Sequence, residues 1–473
     1  LILIMSHSRR PLAVAALAAF VLSACSSEAG SVNDPDVPPP STIGSSTSIA
    51  VTSTAAVPAV EVTDVPTTTV DPADEWAVDY VGGTPGPSSG DPIRIGFVNQ
   101  ASFSPESPPA AAAAGAYLNN DLGGVGGRPL ELVECPVESE SDAAACAAAF
   151  AVDPSMIMVL TGALQVGNQQ LYDGIGTTKP ILISTGLTSA DFLSQTARTY
   201  TVGGAGVVAG VAHYIATALE AVPRRVAVIH LDSPAGNTAK SLFIAPIFER
   251  AGTPAVFVPI QQSASADDVE AAMTEAGAQD ADVVFVVTDV AGCSSVYDAL
   301  ASLAMRTTVF AAGLCNSTPV GDHLRELGIN DPVPDGWYFG SNGYSSYIPN
   351  LDAGVDTYLS AMRRYAQPAP GAAGVDTTGL APLTFATTLT MAKVMNSLGT
   401  EATNPIALEG ALASFAGPMM FQVGPLACGD TKILGVSLPA VCASQMGIQQ
   451  YREGSWYPIA DGNNGMPIDL SAI

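Results

Sequence analysis

From Ile93 onward the chain alternates short apolar, β-branched runs with longer stretches of helical composition; the residues before it show no sustained period. The run at 93–98, IRIGFV, has the near-continuous apolar character of a strand buried on both faces. Residues 109–120 are alanine-rich and predict a helix, which the glycines at 123, 124, 126 and 127 stop, and residues 128–134 alternate as a second strand. A β-α-β unit of this kind implies a right-handed crossover, helices on both faces of a parallel sheet, and ligand chemistry at the carboxyl ends of the strands. The alternation continues with a helix at 143–151, a strand at 156–160, helical turns at 169–175, a strand at 181–184 and another at 198–202. A second series follows the helix at 207–219, with strands at 225–231, 255–259, 282–288 and 308–312 and helices at 238–251, 266–276 and 294–303. Residues 337–340 predict a last strand crossing back, and helices at 353–367 and 380–398 return to the first unit. Short strands at 419–423, 448–452 and 456–459 close the chain, the last two as a hairpin around Glu453 and Gly454. The predicted fold is therefore α/β, with two doubly wound, Rossmann-like lobes.

The amino end carries a different signal. Arg9 and Arg10 precede a short apolar core at 11–22, and Leu22-Ser23-Ala24-Cys25 has the small-residue pattern of a cleavage site. The apolar core is too short to span a bilayer as a permanent helix. With cysteine directly after the triplet, the segment resembles the bacterial lipoprotein signal, which would make residues 1–24 a signal peptide and Cys25 the lipidated first residue of the mature chain. Residues 25–91 are rich in Ser, Thr, Pro, Val and Asp and cannot bury enough apolar surface to fold alone, so they predict a disordered tether. Trp76 and Tyr80 are the exceptions, expected to dock on the domain that follows.

Charge narrows the partners. The 44 acidic residues outnumber the 17 Lys and Arg, for a formal charge of −27. Phosphate backbones need clustered cations, so nucleic acid is excluded as a partner. Apart from Cys25, six cysteines remain, at 135, 146, 293, 315, 428 and 442. An even count in an exported chain favours disulfides, and proximity in sequence suggests Cys135 with Cys146, Cys293 with Cys315 and Cys428 with Cys442, although the sequence leaves other pairings open. No CxxC occurs and His213, His230 and His323 are scattered, so no metal site is expected.

The ordered set IRIG, a helix ending in Leu118-Asn119-Asn120, the turn GGVGGRP at 123–129 and the strand LELVE resembles the first β-α-β unit of the branched-chain amino-acid binding protein family. These are extracytoplasmic solute receptors of ABC transporters with the type I periplasmic-binding fold. The resemblance covers the chain from about residue 92 to its end. It implies two lobes joined by a multi-strand hinge with the ligand cleft between them. Residues 92–203 with 342–420 would form the first lobe, and 204–341 with 421–473 the second.

Enzyme signatures are sparse: the chain has no HExxH or GxxxxGK[ST]. Gly204-x-Gly206-x-x-Ala209 looks like a dinucleotide fingerprint with Asp232 as the ribose acid, but RTYTV before it is polar where a first Rossmann strand is apolar, and Asp232 lies too far along. His230 ends an apolar strand and reads as a packed residue, while Asp267-Asp268 and Asp280 with Asp282 read as helix caps or solvated ends. No turnover and no cofactor are expected. Binding needs a cleft and a few convergent polar groups. Candidates at strand ends are Ser102, Phe103, Gln165, Gly186, Leu187, Thr188 and Ser189 from the first lobe, and Ser233, Ala235, Asp289 and Asn316 from the second. Thr188 matches the hydroxyl the family places in this turn. Gln165 stands where the family has serine, Ala235 where it has an aromatic residue over the ligand, and only Asp289 could meet an α-ammonium. The expected function is a monomeric, lipid-anchored, extracytoplasmic receptor that captures a small polar solute (amino acid, amide or related compound) and presents it to an ABC transporter permease. A sensory lipoprotein of the same fold without a transporter, and a nucleotide-dependent enzyme using the Gly204 segment, are the alternatives.

Overall fold

The apolar runs form two parallel sheets in the computed structural model, which describes residues 72–219, 221–343, 352–368, 374–422, 425–459 and 468–473. The signal peptide, Cys25 and most of the tether lie outside the described residues. After a helix α1 (Pro72–Val81), the first lobe runs β1 (Ile93–Asn99), α2 (Ser107–Asp121), β2 (Leu130–Pro136), α3 (Glu140–Val152), β3 (Met156–Ala163), α4 (Asn168–Ile175), β4 (Ile181–Thr185), α5 (Ser189–Leu193) and β5 (Ala197–Thr199). Its strands pair in parallel in the order β2-β1-β3-β4-β5. Every residue of β4 is buried and β1 nearly so, the pattern of a sheet covered on both faces.

The second lobe runs α6 (Gly203–Thr217), β6 (Val226–Leu231), α7 (Pro234–Thr238), a π-helical turn at Ala239–Ile244, α8 (Ala245–Ala251), β7 (Ala255–Ile260), α9 (Ala266–Ala276), β8 (Val283–Val287), α10 (Val290–Ser302), β9 (Thr308–Ala311), α11 (Thr318–Glu326) and β10 (Tyr338–Ser341). The chain then returns through α12 (Ala353–Tyr365), α13 (Ala381–Ser397) and α14 (Pro405–Ser414), and ends in β11 (Lys432–Ile433), β12 (Val436–Ser437), β13 (Gln445–Arg452), β14 (Ser455–Ile459) and β15 (Ile468–Asp469). The second sheet is ordered β14-β13-β10-β9-β8-β6-β7. Its five α/β strands are parallel, and β13 joins β10 antiparallel and carries β14 as a hairpin. The expected turn at Glu453 and Gly454 has φ of 49° and 75°, the two left-handed residues that a tight hairpin requires.

Both helices expected to return do so, packing on α2. The alanines of α2 at 110, 111, 113 and 114 are buried, and their small side chains admit α13 at close range. The buried threonines of α13 satisfy themselves: the Thr387, Thr388 and Thr390 hydroxyls donate to the carbonyls four residues earlier at 2.7 to 2.8 Å.

Three sequence expectations change. Residues 419–423 are not a strand: described residues Met419–Gln422 form a turn, and Phe421 has φ of 68°. Residues 425–443, assigned by sequence to the second lobe, attach to the first. Thr199 donates to the Ala440 carbonyl (2.8 Å) and accepts from the Cys442 N–H (2.9 Å), so this segment extends the edge left open at β5. The tether also ends earlier than expected, because residues 72–81 are helical. Tyr80 is the reason: its hydroxyl pairs with Thr390 Oγ1 (2.8 Å) and accepts from the Met420 N–H (2.9 Å), and its ring lies beneath the Lys393 ammonium, 4.2 Å from the centroid. Trp76 stacks on it at 4.9 Å. Asp74 accepts from the Tyr117 hydroxyl (2.7 Å) and from Arg364 (2.6 Å), and Arg364 also reaches Asp121 (3.1 Å). Helix α1 is thus a fixed part of the first lobe.

Tyr80→Phe leaves the buried Met420 N–H without its acceptor, which is expected to lower unfolding free energy by about 1–3 kcal/mol in urea denaturation.

Candidate functional site

The carboxyl ends of both sheets open on one cavity of ≈ 140 Å³. The first lobe contributes Phe103 after β1, Gln165 after β3, Thr185 and Leu187 at the end of β4, and the segment Gly379, Leu380, Pro382 and Leu383 that begins α13. From the second come Leu231, Ser233 and Ala235 after β6, Val287 and Thr288 at β8, Ala312, Leu314 and Asn316 after β9, and Ser341 ending β10. The floor is the crossing between lobes: the first turn of α6, with Asn342, Gly343 and Phe421. Leu314 packs against the cluster of Phe103, Ala163 and Leu380, as do Leu187 and Leu383, so apolar side chains from both lobes meet at the cavity. Polar contacts join the lobes beside it: the Gly379 N–H donates to the Asn316 carbonyl (3.4 Å), the Thr318 N–H to Thr378 Oγ1 (2.6 Å) and the Thr318 hydroxyl to Asp376 (2.8 Å). The disulfide Cys293–Cys315 ties the first turn of α10 to the segment carrying Asn316; Cys135–Cys146 and Cys428–Cys442 form as well.

Six of the expected residues line the cavity: Phe103, Gln165, Leu187, Ser233, Ala235 and Asn316. The others do not, and each is held elsewhere. Ser102 turns outward, its N–H and hydroxyl both donating to Glu138. Gly186 is in the wall but gives its carbonyl to the Gly204 N–H (2.8 Å). Thr188 is the N-cap of α5 in a reciprocal capping box with Asp191, and Ser189, the first helical residue, is exposed. Asp289 caps α10: one carboxylate oxygen accepts from the Gly292 N–H (2.8 Å) and the other from the Ser263 N–H (3.0 Å). The sequence could not reveal Thr185, Thr288 or the Gly379–Leu383 stretch, the last because α13 arrives at the cleft from nearly two hundred residues away in the chain.

The helix start that resembled a dinucleotide cradle is closed. Gly203 has φ of +67°, and a Cβ there would stand 2.6 Å from the Gly186 carbonyl, so only glycine fits. The Gly203 N–H donates to Thr201 Oγ1 (3.2 Å), that of Gly204 to Gly186 and that of Gly206 to Val202 (3.2 Å). The amides a pyrophosphate would need are engaged within the protein.

Among the described residues no charged side chain lines the cavity. The nearest acids face into the wall. Asp191, fully buried, accepts from the N–H groups of Leu187 (2.7 Å) and Thr188 (2.8 Å), from Asn168 Nδ2 (2.7 Å) and from the Tyr172 hydroxyl; burial pushes its carboxyl above the usual range against these donors. Glu106 lies behind Leu380 and accepts its N–H at 2.8 Å. Burial raises this carboxyl from 4.5 to about 7. Polar atoms facing the cavity are neutral. Thr185 Oγ1 and Asn342 Oδ1 are buried and have no partner among the described residues. The Gln165 backbone is fixed by a bond from its N–H to Gln100 Oε1 (2.8 Å).

Two α/β lobes whose strand ends close on a partly apolar, internally hydrogen-bonded cavity define the class of two-lobed cleft-binding proteins. Residues 92–422 match the model of the periplasmic binding protein family, and the chain belongs to that family. No curated protein matches it in sequence. Solved structures share the fold at low identity. A leucine-binding protein, LivK, of Thermotoga maritima superposes with a TM-score of 0.61 at 11% identity, covering 80% of this chain and 100% of that one. LivJ of Streptococcus pneumoniae, solved with isoleucine, gives 0.59 at 15% identity over 78% of this chain and 99% of its own. A fatty acid ABC transporter substrate-binding protein of Thermomonospora curvata gives 0.60 at 12% identity over 82% and 94%.

Two outcomes follow from this wall. Thr188→Ala should remove a helix cap, costing about 1 kcal/mol in denaturation, while leaving solute affinity unchanged in calorimetry. The folded chain keeps the Glu106 proton to about pH 7, whereas an ordinary carboxyl releases it near 4.5, so the folded state holds more protons between those values. Stability from this group is full below pH 4.5 and falls by roughly 3 kcal/mol as pH rises to about 7 and beyond. Denaturation at pH 4.5 and 8 should show that difference, and Glu106→Gln should remove it.

Proposed function

We propose that this chain is the solute-capturing component of an ABC transporter, held on the extracytoplasmic face of the membrane by lipid on Cys25. The observation that carries this reading is the cavity itself. It is lined from both lobes, brings Leu314 of the second against the apolar cluster of Phe103 and Leu380 in the first, and carries the neutral polar residues Gln165, Ser233 and Asn316. A cavity split between lobes also gives its contents a differential effect on the open and closed states, which is what couples capture to recognition by a permease.

Membrane attachment rests on the signal at 1–25. Among the described residues no helix is long and apolar enough to cross a membrane. The ligands named for the structural neighbours, leucine, isoleucine and a fatty acid, have in common an aliphatic body. The aliphatic walls of this cavity suit such a body.

Small-angle scattering with and without a binding solute, and flotation of full-length protein and Cys25→Ser with lipid vesicles, check the two halves of the reading. Addition of solute should shrink the radius of gyration of the soluble chain. The Cys25→Ser protein should remain in the aqueous fraction while the parent floats. A solute that binds without compaction would count against the receptor, and flotation of Cys25→Ser against the anchor.

A further inference from the structure

Resting on the receptor reading, we infer that the cleft selects a solute with no net or separated charge: a compact aliphatic molecule bearing one amide or comparable neutral polar group. The compactness follows from the cavity volume of ≈ 140 Å³.

The charge preference follows from what the wall has already satisfied. An ammonium group needs a carboxylate, and those nearby are turned away: Asp289 is occupied by the Gly292 and Ser263 amides, Asp191 by the 187–188 turn, Glu106 by Leu380. A carboxylate needs a cation or a free helix N-terminus. No cationic side chain is among the described lining residues. Of the helices that begin at the cleft, α5 is capped by Thr188 and Asp191, α6 by Thr201, Gly186 and Val202, α7 by Ser233 and α10 by Asp289, while α13 gives its Leu380 and Ala381 amides to Glu106 and the Thr378 carbonyl and continues with a proline. An ionised group entering this space would exchange its water for neutral dipoles alone, which is strongly unfavourable. What the cavity does present is neutral and of both senses. Gln165 brings an amide that can donate and accept, and Ser233, Asn316 and Ser341 are further neutral polar residues of the lining. A primary amide complements these groups, and Leu231, Val287 and Val208 surround the remainder of such a molecule.

Four molecules on one aliphatic skeleton separate charge from shape: 4-methylpentanamide (neutral), 4-methylpentanoate (anion), 4-methylpentylamine (cation) and leucine (zwitterion). Titration calorimetry with the full chain at pH 7.5 should give a Kd for the amide at least about tenfold below each of the others, since one unpaired buried group is worth about that factor. Gln165→Leu keeps a side chain of similar size and removes the amide, so amide affinity should fall about fivefold to tenfold. Gln165→Glu should move the preference toward the amine. If leucine or either singly charged analogue binds as tightly as the amide, the neutral-solute inference is overturned and the receptor reading stands. If none of the four binds and scattering shows no compaction with any of them, the inference falls together with the receptor reading on which it rests.

Discussion

The carboxylate of Asp191 is buried where solvation cannot support it, so its oxygens must be met by protein donors, and the turn at 186–188 takes the shape that meets them. Once that turn is set, the Gly186 carbonyl points at the start of α6 and takes the Gly204 N–H, while Gly203 adopts a left-handed conformation closed to other residues. One hydrogen-bonded carboxylate therefore fixes the end of β4, the crossing between lobes and the floor of the cavity. Tyr172 and Asn168 on α4 complete its shell, which ties the same wall to the outer layer of the first lobe. Removal of any of these partners would leave a buried charge or its donors unsatisfied, which explains why so much polar chemistry lies behind a cleft whose surface is neutral.

Much of the architecture was legible because buried parallel strands have an unmistakable composition. The runs at β1, β4, β6 and β8 are apolar throughout, and glycines and prolines punctuate them. Elements that depend on partners distant in sequence were not legible in this way. Helix α1 has an acidic, weakly apolar sequence that resembles the tether before it; what makes it helical is the pocket for Tyr80 formed by Thr390 and Met420, about three hundred residues later. The segment at 440–442 looked like part of the second lobe because it precedes β13, yet the open edge of β5 captures it first.

The site was legible at the level of loops and less so at the level of side chains. Sequence indicates which turns follow which strands, and Phe103, Gln165, Leu187, Ser233, Ala235 and Asn316 fall where those turns meet. It does not indicate whether a polar residue faces the ligand or its own backbone. Thr188 and Asp289 are good helix caps for the same reason they are good ligand groups: a short side-chain oxygen at a strand-to-helix junction. In this chain capping prevails at both positions, and the polar lining is left to neutral residues such as Gln165 and Asn316.

The docking of α1 has a mechanical consequence. Everything before Pro72 reaches the folded body through a helix clamped to α2, α12 and α13 by Tyr80, Asp74 and Arg364, all within one lobe. A pull on the chain ahead of Pro72 would therefore enter the first lobe alone, through α1, and would not act across the strands that join the lobes.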